Sequence, residues 1–235
     1  MKAFLLAAGH GTRMRPLTNT VPKCLLPIRG TPMLEIWLRL CQRFGITEVL
    51  LNLHAHAPQV REFLSLRFNC DLAVNLVEEP VLLGSAGTLR ANRDWIGNDE
   101  CFWIFYADVL SAPDLAGMLH LHRERNPIAT LGVYEVPDPS RCGIVTVDSD
   151  GRVKKFVEKP AQPDGNLAFS GLMIGTPSLL DAIPLRSPVD IGFHLLPQLG
   201  DRMIAYRLSD YVLDIGTHEN YQLAQQTWQH QESPV

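Results

Sequence analysis

The stretch from Leu5 to Thr18, LLAAGHGTRMRPLT, constrains this chain more than any other segment. It begins as an apolar strand, breaks at Gly9 and passes through a second glycine, Gly11, towards Arg13. Backbone N–H groups in such a loop are not shielded by a Cβ atom, so they can surround a chain of phosphates. The guanidinium of Arg13 adds a fixed charge whose forked geometry suits phosphate oxygens. We therefore interpret the stretch as a site for a nucleoside triphosphate.

A lysine follows this loop closely, because Lys23 stands between Pro22 and Pro27. The pattern differs from two other phosphate-binding loops. Met14 takes the place of the third glycine of dinucleotide-binding proteins, and the sequence Gly-Lys-Ser/Thr does not occur. A Gly-x-Gly after a strand is equally typical of a tight turn, so the loop alone leaves both interpretations open.

The composition excludes several classes of protein. The chain has 235 residues, which suits one α/β domain with a substantial core. Its net charge is −4 and no basic block occurs, so we expect no nucleic-acid partner. Five cysteines without a Cys-x-x-Cys pattern indicate reduced thiols in a cytoplasmic protein rather than disulfides or a zinc site. The apolar run before Gly9 is too short for a signal peptide, and we expect no membrane partner.

Strands and helices alternate through the first half of the chain. The pair Thr31-Pro32 predicts the start of a helix, with the threonine as N-cap, and Gly45 predicts its end. A buried strand from Val49 to Leu53, a helix over 58–66 and a strand over 71–77 follow. Because no tight hairpin separates these elements, we expect parallel strands with right-handed crossovers. The strands are apolar throughout, as in a sheet covered on both faces.

A second glycine loop occupies residues 78–89, EEPVLLGSAGTL. Gly84 would let a flat base lie against the backbone, with Ser85 beside it. A carboxylate such as Glu79 could accept hydrogen bonds from the N1–H and amino group of guanine. A strand end followed by a helix cap would explain the same residues without any ligand.

Two features of the sequence are candidate metal sites, and only the first is favoured. Asp108 ends the most apolar strand, from Cys101 to Ala107, and open α/β sheets bind ligands at the carboxyl ends of their strands. Magnesium needs only one or two carboxylates beside phosphates, although an aspartate that caps the next helix is the alternative. The His54-Ala55-His56 sequence has no obvious third ligand nearby, and a polar loop beside the sheet is the simpler interpretation.

The second half of the chain has a different pattern. Leu115 to Arg125 is predicted as a helix, with His120 and His122 at the surface or its boundary. Shorter alternating strands follow, and Asp150-Gly151 predicts a hairpin turn. The strands of this hairpin are Gly143–Val147 and Arg152–Val157.

Two motifs together resemble the signature of one family. Leu-Ala-Ala-Gly-x-Gly-Thr-Arg-Met-x-Pro-Leu-Thr followed by Pro-Lys-x-Leu-Leu-Pro resembles the sugar-1-phosphate nucleotidyltransferases, the NDP-sugar pyrophosphorylases. Later segments match in the family's order, so the resemblance covers almost the whole chain. They are the second glycine loop, Asp108, Glu158-Lys159-Pro160, Phe169–Leu172 and Tyr211–Tyr221. Ala107 departs mildly from the family, which usually has glycine before this aspartate. The chain is most similar to mannose-1-phosphate guanylyltransferase-type members.

The resemblance implies an α/β fold of the glycosyltransferase-A-like nucleotidyltransferase type. This fold has a Rossmann-like, mostly parallel sheet with helices on both faces and a small β-rich sugar-binding part. We expect one domain over 1–235, with a nucleotide-binding half to about residue 125 and a sugar-phosphate half from about residue 126. The C-terminal β-helix domain of longer relatives would be absent. Residues 232–235 lack apolar anchors and are expected to fray.

The resemblance also implies a set of site residues. The catalytic residues would be Arg13, Lys23, Asp108 and Lys159. Nucleotide binding would use Leu6, Ala8, Gly9, Gly11, Thr12, Arg13, Lys23, Glu79, Gly84 and Ser85. The sugar phosphate would meet Gly143, Glu158, Lys159, Ser170 and Gly171. The cofactor would be Mg²⁺, held by Asp108 and Asp214.

The implied reaction is attack of a sugar 1-phosphate on the α-phosphate of a nucleoside triphosphate, giving an NDP-sugar and pyrophosphate. The loop around Glu79 favours GTP, whereas thymidylyltransferase-type members usually carry glutamine near this position. A UTP-dependent amino-sugar or hexose 1-phosphate uridylyltransferase is the alternative within the family. Transfer from CTP to phosphocholine, a non-catalytic NDP-sugar-binding regulatory subunit and an unrelated nucleotide-binding module also remain open, as does a homo-oligomer.

Overall fold

A computed structural model describes residues 1–67 and 71–229. The predicted fraying of residues 232–235 lies outside this range. Strands in the described residues are β1 (Lys2–Leu6), β2 (Pro27–Ile28), β3 (Thr31–Pro32), β4 (Glu48–Leu53), β5 (Ala73–Glu78), β6 (Phe102–Tyr106), β7 (Val109–Ser111), β8 (Ala129–Glu135), β9 (Gly143–Val147), β10 (Val153–Glu158), β11 (Leu167–Gly175), β12 (Met203–Arg207) and β13 (Val212–Asp214). The α-helices are α1 (Met33–Arg43), α2 (Ala57–Arg67), α3 (Ser85–Ala91), α4 (Leu115–Arg125), α5 (Pro177–Asp181) and α6 (His218–Thr227).

The first half of the sheet is parallel, as the alternation of strands and helices predicts. Strand β1 lies between β4 and β6 and pairs in parallel with both, and β4 pairs in parallel with β5. Leu6 is therefore opposite Asn52 on one side and Tyr106 on the other. The carboxyl ends of these strands meet at one edge of the sheet, where open α/β sheets place their ligands.

Both faces of this sheet are covered, because successive side chains of a strand point to opposite faces. On β1, Ala3 and Leu5 pack into one buried cluster, whereas Phe4 packs into another. The first cluster receives Trp37 from α1, and the second receives Leu89 from α3. The continuous apolar runs of the strands follow from this double burial.

The second half of the chain extends the same sheet with antiparallel strands. Strand β11 pairs antiparallel with β6, β8 and β9, and the β9–β10 hairpin forms the end of the sheet. The hairpin turns at Gly151, whose φ of +78° explains the predicted Asp-Gly turn. These findings confirm the predicted fold class of a mostly parallel α/β sheet with an attached β-rich part. The division near residue 125 stays a prediction.

The predicted N-cap of the first helix is wrong. Thr31 and Pro32 form β3, which pairs with β2, and α1 begins at Met33 with Pro32 in the N-cap position. Arg29 and Gly30 connect the two strands with φ values of +49° and +88°. This tight hairpin draws Thr31 into an extended conformation, so local capping propensity is overridden by strand pairing. By contrast, a threonine does cap the last helix, since the side chain of Thr217 accepts a hydrogen bond from Asn220 N–H.

His122 is the second correction. It lies on α4 but is only 3% exposed, and its Nδ1 is 2.8 Å from the hydroxyl of Thr130 on β8. Burial lowers the pKa of His122 from 6.5 to about 4, with a smaller contribution from the charge of Arg123. The helix packs this face against the sheet, so His122 belongs to the interior rather than to the surface.

This histidine predicts an acid-sensitive fold. The pKa of His122 is lower in the folded chain than in the unfolded chain. Its contribution to the stability of the fold is therefore fully present above pH 6.5 and is lost as the pH falls towards 4. We expect the free energy of unfolding to fall by about 2 kcal/mol between pH 7 and pH 5 because of this group. Urea unfolding of wild type and His122→Gln at both pH values measures it. An equal pH dependence in the two proteins would contradict the assignment.

In the described part of the chain, no helix is long and apolar enough to cross a membrane.

Candidate active site

A cavity of about 280 Å³ opens at the carboxyl ends of the parallel strands. The first glycine loop, the second glycine loop and the end of β6 form its walls. Eight predicted site residues line it: Leu6, Ala8, Gly9, Lys23, Glu79, Gly84, Ser85 and Asp108. Side chains that were not predicted also line it, namely Asn52, Leu82, Thr88, Tyr106 and Asp190. Segments up to about 180 residues apart in the sequence thus meet at one edge of the sheet.

The first glycine loop bends just beyond the cavity. Gly11 adopts a φ of +60°, and its carbonyl accepts a hydrogen bond from the Thr18 hydroxyl at 2.7 Å. A Cβ atom at Gly11 would lie 3.0 Å from Thr18 Cγ2, so the close approach of this hydroxyl favours glycine. Thr12 and Arg13 follow in a short helical turn and do not line the cavity itself.

Arg13 instead lies close to Asp214 and Gly216, near the C-terminal end of the described residues. Its Nη2 would be 3.1 Å from a Cβ atom at Gly216, and Asp214 Oδ1 would be 2.6 Å from the same atom. The absence of a side chain at Gly216 therefore lets the guanidinium and the carboxylate approach one another. This places Arg13 and Asp214 beside the cavity, on the side of Asp108.

Lys23 and Asp108 form an ion pair within the cavity wall. Lys23 Nζ is 2.7 Å from Asp108 Oδ2, and the side chains are 12% and 38% exposed. A turn over Lys23–Leu25 carries the lysine, and the two-residue turn between β6 and β7 carries the aspartate. A cation and an acid thus meet at the mouth of the cavity, 85 residues apart in the sequence.

The two predicted metal aspartates are neighbours. Strand β13 pairs antiparallel with β7, with Asp214 opposite Val109, and Ile215 N–H donates to the Asp108 carbonyl at 2.9 Å. Asp214 is accessible to solvent at the end of β13. Partial loss of hydration, followed by the charge of Asp108, raises the pKa of the Asp214 carboxyl, whereas Lys23 and Arg13 act in the opposite direction.

The donor set fits a magnesium ion. Within residues 1–67 and 71–229, no group of three or more His, Cys, Asp or Glu side chains could hold a metal by itself. Magnesium binds through one or two carboxylates together with water and substrate phosphates, so the pair of Asp108 and Asp214 meets its needs. The His54-x-His56 sequence supplies no such cluster.

Glu79 has a structural role that the sequence did not suggest. Its side chain is 3% exposed and accepts hydrogen bonds from Asn52 Nδ2 at 2.9 Å and from the Thr88 hydroxyl. Its other oxygen accepts from Leu83 N–H at 3.0 Å. The carboxylate thus holds the second glycine loop, and its contact with a base stays a prediction.

Gly84 is indispensable to the second glycine loop. Its backbone angles, φ +80° and ψ 159°, are accessible almost only to glycine. A Cβ atom there would overlap the carbonyl oxygen of Val189 and lie 2.7 Å from its carbonyl carbon. That carbonyl accepts hydrogen bonds from the N–H groups of Ala86 and Gly87, both at 3.0 Å. Gly84 therefore allows the segment around Val189 to dock on the start of α3.

The docked segment brings an acid to the cavity that sequence reasoning missed. Asp190 Oδ2 accepts a hydrogen bond from the Ser85 hydroxyl at 2.9 Å, and Oδ1 accepts from Gly192 N–H at 2.9 Å. The hydroxyl of Tyr106 lies 3.4 Å from Ser85 Oγ. Burial and then the charge of Asp190 raise the pKa of Tyr106, so it is a neutral hydrogen-bonding group. Prolines at positions 184, 188 and 197 indicate a loop in this part of the sequence, but they do not mark the acid.

Glu158 and Lys159 lie at the end of β10, close to the cavity but outside its wall. The carboxylate of Glu158 packs closely against Gly143 and Gly192. A Cβ atom at either glycine would overlap Oε2 of Glu158. Burial raises the pKa of Glu158, and the charge of Lys159 opposes this. The ammonium of Lys159 lies 5.5 Å from the centre of the Phe193 ring, a cation–π contact.

The side chain of Ser170 is buried and hydrogen-bonded within the protein. It is 3% exposed, and its hydroxyl donates to the Gly132 carbonyl at 2.8 Å and accepts from Leu172 N–H at 3.2 Å. The serine thus stabilises an irregularity in β11. Gly171 follows with a φ of +81°, and a Cβ atom there would be 3.0 Å from Tyr106 Cβ. Gly171 thus lies against a cavity residue, and contact of Ser170 and Gly171 with a sugar phosphate stays a prediction.

Fold and site together define an α/β protein with a cleft at the carboxyl ends of its parallel strands. This cleft lies between two glycine loops, beside the cations Arg13 and Lys23 and the aspartates Asp108 and Asp214. Residues 2–231 match the sequence profile of the nucleotidyl transferase family, and the chain belongs to that family. This confirms the family predicted from the sequence motifs.

Individual relatives differ in the base that their names specify. The chain is 34% identical to mannose-1-phosphate guanylyltransferase 1 of Arabidopsis thaliana over 227 residues, covering 94% of this chain and 63% of that protein. It is 33% identical to a UTP–glucose-1-phosphate uridylyltransferase of Synechocystis over 238 residues, covering 94% and 61%. The chain thus spans less than two thirds of the length of these relatives.

A solved structure from Bacillus anthracis is similar across the whole chain. It belongs to a protein assigned as a glucose-1-phosphate thymidylyltransferase and superposes with a TM-score of 0.88. The two sequences are 22% identical, and the match covers 100% of this chain and 98% of that chain. At this identity the likeness establishes the shared fold.

Proposed function

We propose that this protein transfers a nucleotidyl group from a nucleoside triphosphate to a sugar 1-phosphate, releasing pyrophosphate. One observation carries the proposal above all. Lys23, Asp108, Asp214 and Arg13 converge beside a cavity that is bounded by two glycine loops. Family membership and the names of relatives that are 33–34% identical support the same reaction.

The chemistry explains why cations rather than a protein nucleophile are needed. The attacking oxygen of a sugar phosphate is already ionised at neutral pH, so the main obstacle is repulsion between two polyanions. A pair of unit charges 4 Å apart costs about 4 kcal/mol at an effective dielectric constant near 20. In this proposal Arg13 and Lys23 hold the triphosphate and stabilise the leaving pyrophosphate, and Lys159 positions the attacking phosphate.

Asp108 and Asp214 would hold the magnesium ion. When bound, the ion supplies positive charge that offsets the phosphates and helps to orient them. Lys23, whose ammonium is 2.7 Å from Asp108 Oδ2, would contact phosphate oxygens of the triphosphate beside that carboxylate.

The acceptor is proposed to be a sugar because acidic and hydroxyl groups surround the second part of the cleft. Glu158, Asp190, Ser85 and the neutral Tyr106 can exchange hydrogen bonds with hydroxyl groups. A choline head would need aromatic or acidic walls around its cation, and the ammonium of Lys159 beside the Phe193 ring would repel that cation. These residues support a sugar phosphate over phosphocholine.

GTP is the favoured nucleotide, on the strength of the guanylyltransferase relatives and the sequence of the second glycine loop. A UTP-dependent reaction is the second candidate. The uridylyltransferase of Synechocystis supports it, because this chain is almost as identical to that relative as to the guanylyltransferase of Arabidopsis thaliana. A competition assay with equal GTP and UTP, mannose 1-phosphate and glucose 1-phosphate decides between them. We expect mass spectrometry to detect mainly GDP-mannose, and mainly UDP-glucose would establish the second candidate instead.

A substitution of Lys159 tests its proposed contact with the sugar 1-phosphate. We expect Lys159→Ala to raise KM for the sugar 1-phosphate at least about tenfold, because a charge-assisted contact to phosphate is lost. KM for the nucleotide should change less than about threefold. Lys155→Ala is the matched control, since this lysine lies on the same strand and pairs with the exposed Asp164. Equal increases in the two KM values of Lys159→Ala would contradict its role.

We also propose a cytoplasmic location. Cys24, Cys41 and Cys101 are buried free thiols, as expected for a protein kept in a reducing compartment. A homo-oligomer stays a prediction that sedimentation can test.

A further inference from the structure

One side chain connects the two glycine loops of the nucleotide site. Asn52 lies near the carboxyl end of β4 and is 4% exposed. Its Oδ1 accepts hydrogen bonds from Ala7 N–H at 2.8 Å and Ala8 N–H at 3.3 Å, where the first glycine loop begins. The start of that loop is therefore tied to a neighbouring strand rather than to solvent.

The amide nitrogen of Asn52 reaches the second glycine loop. Nδ2 donates to Glu79 Oε1 at 2.9 Å and to the Thr88 hydroxyl at 3.0 Å. Glu79 in turn accepts from Leu83 N–H, and the Thr88 hydroxyl is within 3.2 Å of the Gly84 carbonyl. One carboxamide thus supplies an acceptor to the first loop and both donors to the second. Aspartate has the same shape but lacks these donors.

The residue that follows β4 supports the same connection. His54 lies directly beyond the end of the strand at Leu53. Its Nδ1 is 2.7 Å from the Glu79 carbonyl oxygen, and its ring meets the ring of His10 edge-on at 4.9 Å. His10 belongs to the first glycine loop, so both side chains join that loop to Glu79.

We propose that Asn52 is a positioning residue that fixes the separation between the phosphate-binding and base-binding loops. The proposal rests on the proposed function, because it assumes that one nucleotide spans both loops. Asn52 acts through the loops and needs no contact with substrate. A ligand that uses two sites gains affinity only while their spacing matches its own length. Loss of the connection should therefore weaken an intact nucleotide more than a ligand that occupies one loop.

The test compares Asn52→Asp with wild type by calorimetry, using GTP, UTP and inorganic tripolyphosphate in the presence of Mg²⁺. The substitution keeps the acceptor for Ala7 and Ala8 but replaces both donors to Glu79 and Thr88. We expect affinity for the better-bound nucleotide to fall at least about 30-fold, and that for tripolyphosphate less than about threefold. KM for the sugar 1-phosphate should change less than about threefold. Asn75→Ala, an exposed asparagine of β5, is the matched control.

A second pair of variants guards against misfolding of Asn52→Asp. Thr88→Val removes the hydroxyl from the network, whereas Thr88→Ser retains it. We expect the valine variant to reproduce the selective loss of nucleotide affinity and the serine variant to resemble wild type. Nucleotide affinity within threefold of wild type in both Asn52→Asp and Thr88→Val would overturn the proposal. So would an equal loss for nucleotide and tripolyphosphate.

The two proposals fail in different ways. If wild type releases no pyrophosphate with any substrate pair, the proposed reaction is wrong. The binding comparison still decides the role of Asn52 in that case, because it does not depend on turnover.

Discussion

Asp108→Asn is expected to lower turnover at least about 100-fold while leaving the fold intact. The substitution removes the negative charge that faces Lys23 at 2.7 Å and one of the two proposed magnesium ligands. Loss of one electrostatic contribution at a reacting phosphate costs about 3–4 kcal/mol, which corresponds to a factor of 100 or more. Steady-state pyrophosphate release at saturating substrates measures the effect.

The stability of the Asp108→Asn variant should change by less than about 1 kcal/mol, because partly exposed ion pairs contribute little. Asp164→Asn is the matched control. Asp164 also pairs with a lysine, Lys155, at 2.6 Å, but both side chains are exposed and neither lines the cavity. We expect this control to retain wild-type turnover. Turnover within threefold of wild type for Asp108→Asn would remove Asp108 from the catalytic assignment.

Gly84→Ala is expected to lower the free energy of unfolding by about 3–5 kcal/mol. The backbone angles at Gly84 cost a residue with a side chain about 1–3 kcal/mol, and overlap with Val189 adds to this. For a chain of this size the change corresponds to a decrease in Tm of about 10 °C. The displaced segment carries Asp190, so KM for both substrates should also rise.

Gly30→Ala separates the cost of the backbone angles from the cost of overlap with Val189. Gly30 also has a positive φ, +88°, but a Cβ atom there meets nothing within 4 Å. We expect it to cost only about 1 kcal/mol, from the backbone alone. Thermal unfolding of the two variants provides the comparison. Equal decreases in Tm would show that contact with Val189 is unimportant.

Much of the fold follows from local sequence patterns. The parallel strands and the Asp150-Gly151 hairpin depend on residues that are close in sequence, and the structure agrees with both. Thr31 behaves differently because a hairpin with Ile28 outweighs its capping preference. His122 also escaped prediction, since neither its helix nor its neighbours reveal that Thr130 lies opposite its ring.

The candidate site was predictable where motifs carry it and hidden where distant segments meet. Lys23, Gly84 and Asp108 stand in recognisable patterns, and the structure brings them to one cavity. Asn52 and Asp190 have no such pattern. Their importance depends on hydrogen bonds to residues 45 and 105 positions away, which only the folded chain defines.

The central claim is nucleotidyl transfer with release of pyrophosphate, and one assay tests it most directly. Pyrophosphate is measured with Mg²⁺ over all combinations of five nucleoside triphosphates with mannose, glucose, heptose and amino-sugar 1-phosphates, with Asp108→Asn as the blank. Our account predicts release with at least one pair, in a 1:1 ratio to the NDP-sugar formed, and GTP with mannose or heptose 1-phosphate is the favoured pair. No release with any pair, together with tight binding of an NDP-sugar by calorimetry, would contradict an enzymatic role and indicate a binding subunit.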